Sequence, residues 1–184
     1  STTTTAEHTV AMLFALSRNI PQAYLTLKHH HWEKSKFKGG ELAGKTLGVI
    51  GLGRIGSEVA RKCQAMGMNV IAFDPFINPD AHLSSGFDLV EIDRVYKEAD
   101  FITVHVPLTD TTRNLINESS ISRMKDGVRL INCARGGIIH EGDLYNALKS
   151  GKVAGAAFDV FEAEPNTETP LLELDNFIAT PHLG

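Results

Sequence analysis

A run of Gly51-Leu52-Gly53-Arg54-Ile55-Gly56 follows the apolar stretch Thr46–Ile50, and an acid, Asp74, closes the next apolar stretch about twenty residues on. A glycine run alone is weak. With strand, turn, helix, strand and terminal acid in that order, it is the full fingerprint of a dinucleotide site. The glycines permit a tight turn and close approach of a pyrophosphate, whose charge sits at the positive end of the following helix. Asp74 is expected to accept from the adenosine ribose hydroxyls and to repel the extra phosphate of NADP, so NAD is the expected cofactor.

Four ionisable residues lie just past other apolar runs: Arg135, Asp159, Glu164 and His182. In a parallel sheet every strand's carboxyl end opens on one rim, so all four should share that rim with Gly51 and Asp74. Hydride transfer from a secondary alcohol needs a group to take the hydroxyl proton, and histidine suits that near neutrality. His182 is the candidate. A neighbouring carboxylate fixes an imidazole's tautomer and favours its charged form, so Glu164 is expected to hold and tune it. Arg135, followed by Gly136 and Gly137, offers a planar guanidinium for a substrate carboxylate and a carbonyl to be polarised. Asp159 is expected to accept from the nicotinamide carboxamide, choosing which ring face meets the substrate.

The elements that must position these residues alternate between short apolar runs and helical segments, the pattern of a mostly parallel sheet with helices on both faces. Seven strands are read, Thr46–Ile50, Asn69–Phe73, Phe87–Val90, Phe101–His105, Val128–Asn132, Ala154–Phe158 and Phe177–Thr180. Helices are read at Ala6–Leu16, Ile55–Met66, Ile92–Ala99, Glu118–Met124 and Glu141–Ser150. The fold class is therefore α/β, a Rossmann-type doubly wound sheet over residues 41–184. Residues 1–40 form a helix that closes before Pro21 and then, from Gln22 to Gly40, a polar arm or linker.

Length and composition bound what this unit does. The chain has 184 residues, 42% of them hydrophobic and 22% charged, which fits one globular unit and no membrane span. Its net charge of −4 leaves no basic field for a phosphate backbone, so the partner is a small molecule and not nucleic acid. Two cysteines make no disulfide framework, and with no signal-peptide pattern a reducing, cytoplasmic setting is expected. Cys63 reads as inert packing on a helix face, and Cys133 as backbone for the cofactor and not a nucleophile. Three adjacent histidines, His29, His30 and His31, cannot converge on one ion from a helix, so no metal is expected. His105 and His140 lack a partner pattern and are assigned no chemistry.

Taken together these motifs resemble the D-2-hydroxyacid dehydrogenases, over essentially the whole chain. The likeness rests on Trp32-Glu33-Lys34, the run 44–56, Asp74-Pro75, Val104-His105-Val106-Pro107-Leu108, Asn132 to Gly137, Asp159-Val160-Phe161, Glu164-Pro165 and Pro181-His182-Leu183-Gly184. The resemblance implies catalytic roles for Arg135, Glu164 and His182. It implies NAD contacts from Gly51, Gly53, Arg54, Ile55, Gly56, Asp74, Pro75, Val106, Pro107, Cys133, Ala134, Arg135, Asp159, His182 and Gly184. It implies oxidation of 3-phosphoglycerate to 3-phosphohydroxypyruvate, the reaction that opens serine synthesis, and a homodimer built through the N-terminal helix and arm. In one branch of the family an Arg two positions after the arm's Trp reaches across the dimer toward a substrate phosphate. Here that position is Lys34, which keeps the charge and loses the bidentate fork. A second domain preceding this one would supply the opposite wall of the cleft, so the chain alone is expected to bind NAD and turn over slowly or not at all. Two alternatives stay open: a reductase of glyoxylate, hydroxypyruvate or a D-lactate-like acid, and a NAD-sensing co-repressor-like module that retains the same three residues.

Overall fold

The computed structural model describes residues 1–78 and 86–184. Seven strands form one parallel sheet: β1 (Thr46–Ile50), β2 (Asn69–Phe73), β3 (Asp88–Leu89), β4 (Phe101–Val104), β5 (Val128–Asn132), β6 (Val153–Phe158) and β7 (Phe177–Ala179). Their order across the sheet is β3-β2-β1-β4-β5-β6-β7, and every pairing is parallel. The chain winds outward from β1 in both directions, so the switch point falls between β1 and β4. Ligands of such sheets bind in the crevice above that point. The strands agree with the sequence reading to within a residue or two at each end, where ladder hydrogen bonds give out.

Successive side chains of the inner strands feed two cores. Ile50, Ile102, Val104, Leu130 and Phe158 pack under α4 (Ile92–Glu98), α5 (Glu118–Ser122) and α6 (Glu141–Ser150). Leu47, Val49, Phe101, Ile131 and Ala157 pack under α1 (Thr2–Ser17) and α3 (Arg54–Ala65). A sheet covered on both faces explains why its strands read as unbroken apolar runs. Helix α1 is integral to this core: Ala6, Met12, Leu13 and Leu16 are buried.

The arm differs from its sequence reading. The segment Gln22–Gly40 is not wholly linker, because a second helix, α2, spans Ile20–Lys28 and a 3₁₀ turn spans Lys34–Phe37. Pro21 sits in the first turn of α2, where its missing N–H has no partner to lose, so it starts a helix as well as ending one. Asn19, in the left-handed conformation, makes the break between α1 and α2. No residue of α2 is buried, and Ile20, Tyr24, Leu25, Leu27 and Trp32 all stand exposed.

Candidate active site and nucleotide cleft

At the tip of β1 the chain turns into α3 through Gly51, whose φ of +99° is open only to glycine at ordinary cost. Helix and turn touch so closely that a Cβ on Gly56 would lie 1.9 Å from the Gly51 carbonyl oxygen. Gly53 faces open space, which leaves room for a bulky anion beside the helix N-terminus. Asp74, just past β2, braces this turn: one carboxylate oxygen accepts from Leu52 N–H at 2.7 Å and the other from Phe76 N–H at 2.8 Å. Each oxygen keeps a further lone pair for a ribose hydroxyl.

A cleft of about 530 Å³ opens beside the switch point, lined among others by Ile55, Val106, Pro107, Arg135 and His182. The apolar walls, the open glycine turn and the acid beyond β2 fit a bound dinucleotide. Ile55, in the first turn of α3, lines it, whereas Gly53 and Arg54 line a separate hollow; Val106 and Pro107 come from the loop after β4, and Cys133 and Ala134 from that after β5.

The loop after β5 is held by Asn132, fully buried, whose carboxamide donates to the Arg135 carbonyl at 2.9 Å and accepts from Ala134 N–H at 3.0 Å. Gly136 rides directly on the loop after β6, because a Cβ there would meet the Phe161 carbonyl oxygen at 1.9 Å. Arg135 is exposed at the cleft, its guanidinium donating to the Ala134 carbonyl at 2.7 Å. Beneath the β6 loop, Phe177 packs edge to face on Phe158 and Phe161, with Phe158 and Phe177 centroids 5.3 Å apart. This fixes Phe161, whose N–H donates at 2.9 Å to Glu164.

The other oxygen of Glu164 lies 2.6 Å from His182 Nδ1. Partial burial works to raise the Glu164 carboxyl, but the Phe161 N–H and the His182 ring outweigh it and hold the carboxyl below its usual range. With Nδ1–H donated to Glu164, Nε2 carries the lone pair. His182 holds φ at +56°, a conformation that costs a non-glycine residue about 1 kcal/mol or more. The structure thus brings together Arg135 and His182 at one cleft and pairs His182 with Glu164.

Asp159 behaves differently from an open acceptor. It is 1% exposed, and its carboxylate takes hydrogen bonds from Thr180 Oγ1, Leu183 N–H and Gly184 N–H at 2.6, 2.8 and 2.8 Å. His8 Nε2 of α1 adds a contact at 3.3 Å. Lys34 lies exposed in the arm, apart from the residues that line this chain's cleft. Sequence reasoning missed His8, Thr180 and Asn132, and gave His105 no place. His105 lines the cleft, pairs through Nε2 with Thr103 Oγ1 at 2.8 Å, and burial pushes its imidazole down to about 4, so it is neutral. Its position just past β4, beside the switch point, was the available signal.

Burial pushes the thiols of Cys63 and Cys133 up to about 12, which fits packing and backbone roles and no nucleophilic one. No helix among the described residues is long and apolar enough to cross a membrane.

Residues 10–184 match the family model of the NAD binding domain of the D-isomer specific 2-hydroxyacid dehydrogenases. The chain belongs to that family. It is 52% identical over 185 residues to the D-3-phosphoglycerate dehydrogenase of Methanocaldococcus jannaschii, covering 100% of this chain and 35% of that protein. The human D-3-phosphoglycerate dehydrogenase is 49% identical over 179 residues, 97% of this chain and 34% of that one. A solved D-lactate dehydrogenase from Aquifex aeolicus, complexed with NAD and lactic acid, superposes with a TM-score of 0.88 at 40% identity, covering 99% of this chain and 60% of that one. This 2-hydroxyacid dehydrogenase domain spans about a third of the length of the curated relatives it matches. Its cofactor is NAD.

Proposed function

We propose that this chain is the NAD-binding domain of an enzyme that oxidises 3-phosphoglycerate to 3-phosphohydroxypyruvate. The observation that carries the reaction class is the 2.6 Å contact of Glu164 with His182 Nδ1, beside a cleft lined by His182 and Arg135. NAD, when bound, supplies the two-electron acceptor for the hydride. His182 takes the hydroxyl proton at Nε2, and Glu164 keeps Nδ1 protonated and offsets the imidazolium charge that forms. Arg135 pairs with the substrate carboxylate and draws electron density from the developing carbonyl. Asn132 and Gly136 hold the Arg135 loop against the β6 loop, so the guanidinium is placed before substrate arrives. Neutral His105 adds no competing charge to the cleft.

The phosphorylated substrate is supported by relatives named D-3-phosphoglycerate dehydrogenase at about 50% identity, against 40% for the D-lactate dehydrogenase. Lys34 is the residue proposed to reach a phosphate across a homodimer, in which the exposed apolar side of α2 and Trp32 would be covered. In this reading residues 1–40 are the dimerisation element, 41–184 the nucleotide domain, and further chain closes the cleft, so the 184 residues alone turn over slowly or not at all.

Two experiments test the reading. Calorimetric titration of the chain should give binding of NADH and not NADPH, weakened by Asp74→Ala; equal affinity for the two nucleotides would overturn the role of Asp74. Full-length enzyme should reduce 3-phosphohydroxypyruvate with NADH in preference to glyoxylate and pyruvate. A preference for either unphosphorylated acid would replace the substrate and leave the reaction class standing.

A further inference from the structure

We infer that His8, on the first helix and remote in sequence from every residue of the reaction, is a positioning residue for His182. The inference rests on the assignment of His182 as the proton acceptor, and it concerns how that ring is held.

The linkage follows from counting protons. Asp159 is buried and, as a carboxylate, only accepts. Thr180 has a single hydroxyl proton, and at 2.6 Å from Asp159 Oδ1 that proton is donated to the acid. The Thr180 oxygen is then left to accept, and His8 Nε2 lies 2.9 Å from it. His8 therefore carries its proton on Nε2 and donates to Thr180, while the same nitrogen faces Asp159 Oδ1 at 3.3 Å. The chain of donation runs from His8 to Thr180 to Asp159.

What Asp159 does with the remaining acceptor capacity connects α1 to the reaction. Its two oxygens take the backbone N–H groups of Leu183 and Gly184, the two residues that follow His182. Just before His182, the Thr180 carbonyl accepts the His182 N–H at 3.0 Å. His182 is thus clamped on both sides while in the left-handed conformation, and in that conformation its Nδ1 meets Glu164. Since α1 is anchored in the core through Ala6, Met12 and Leu13, His8 transmits a fixed reference point to the turn. A short hydroxyl rotor such as Thr180 would otherwise be free to turn away from the acid.

The test uses His8→Leu, which removes the donor, and His8→Gln, whose amide nitrogen can replace Nε2–H. The primary readout is the side-chain nitrogen chemical shifts of His182 in the 184-residue chain, which report tautomer without any turnover. The unsubstituted chain should show His182 held with the proton on Nδ1. His8→Leu should relax it toward the mixture seen for a free imidazole, and His8→Gln should restore it. In the full-length enzyme His8→Leu should lower kcat by roughly ten- to a hundredfold while the KM for NADH stays within a few-fold, as expected of a displaced catalytic group. A His8→Leu chain with a lower Tm but unchanged His182 shifts and unchanged kcat would reduce His8 to a packing residue and overturn the inference. If the His182 shifts respond and kcat does not, positioning stands as structure and the assignment of His182 to proton transfer fails instead.

Discussion

Replacing Gly56 by Ala separates fold from binding at the nucleotide turn. The new Cβ would sit 1.9 Å from the Gly51 carbonyl oxygen, 3.0 Å from its carbon and 3.3 Å from His105 Cβ. Ordinary contact begins near 3.4 Å, so helix and turn must part by about 1.5 Å. Helix α3 cannot give freely, because Val59, Ala60 and Cys63 are buried on its inner face. The turn moves instead. Alanine gains ~1 kcal/mol of helix propensity over glycine, but forced overpacking costs ~1–3 kcal/mol, so the net change is destabilising. If the turn holds the pyrophosphate as proposed, its displacement would also lose hydrogen bonds at ~1.5–3 kcal/mol apiece, or roughly ten- to a hundredfold in Kd for one lost bond. Gly53→Ala is the contrast: its Cβ meets nothing within 4 Å and its φ of −70° suits any residue. It should leave Tm unchanged and weaken NADH by filling the space the anion needs. Calorimetric NADH titration and thermal melts of both variants decide it. Gly56→Ala with an unchanged Kd would refute the turn as the pyrophosphate site.

Two further outcomes follow from the charges and thiols. Glu164 is held below its ordinary value of 4.5, so its contribution to stability is present above that pH and lost as pH falls through the lowered value. The Tm difference between the unsubstituted chain and Glu164→Gln should therefore be present at neutral pH and close below 4.5; a difference independent of pH would count against the Glu164–His182 pair. Cys63 and Cys133, buried and pushed to about 12, should resist alkylation in the native chain and both react once denaturant is added. Rapid native labelling of Cys133 would show that the cleft floor opens.

Much of this was legible in sequence for a physical reason. A parallel sheet buried on both faces forces continuous apolar runs, and its rim gathers whatever follows each run, so Arg135, Glu164 and His182 could be brought together without distances. The arm was less legible because Pro21 signals either a helix end or a helix start, and only the left-handed Asn19 before it decides. Asp159 was placed on the right rim, but its occupancy by Thr180, His8 and two backbone N–H groups depends on contacts as far as 172 residues apart, which no spacing rule encodes. Asn132, buried inside a motif already noted, reads in sequence as one polar residue at a strand end; only its two short contacts show that it builds the Arg135 loop.

The order of the strands has a consequence for how such a domain changes over time. Asp74 stands past β2, while His182 stands past β7, with β1, β4, β5 and β6 between them. At ~4.8 Å per strand the ends of β2 and β7 are roughly 24 Å apart across the sheet, while His182 lines the cleft beside the switch point. In the proposed function, nucleotide preference and proton chemistry would rest on opposite ends of one rim. A change at Asp74 would retune the first while leaving the Glu164–His182 pair in place, and a double variant would read any coupling carried through the shared NAD.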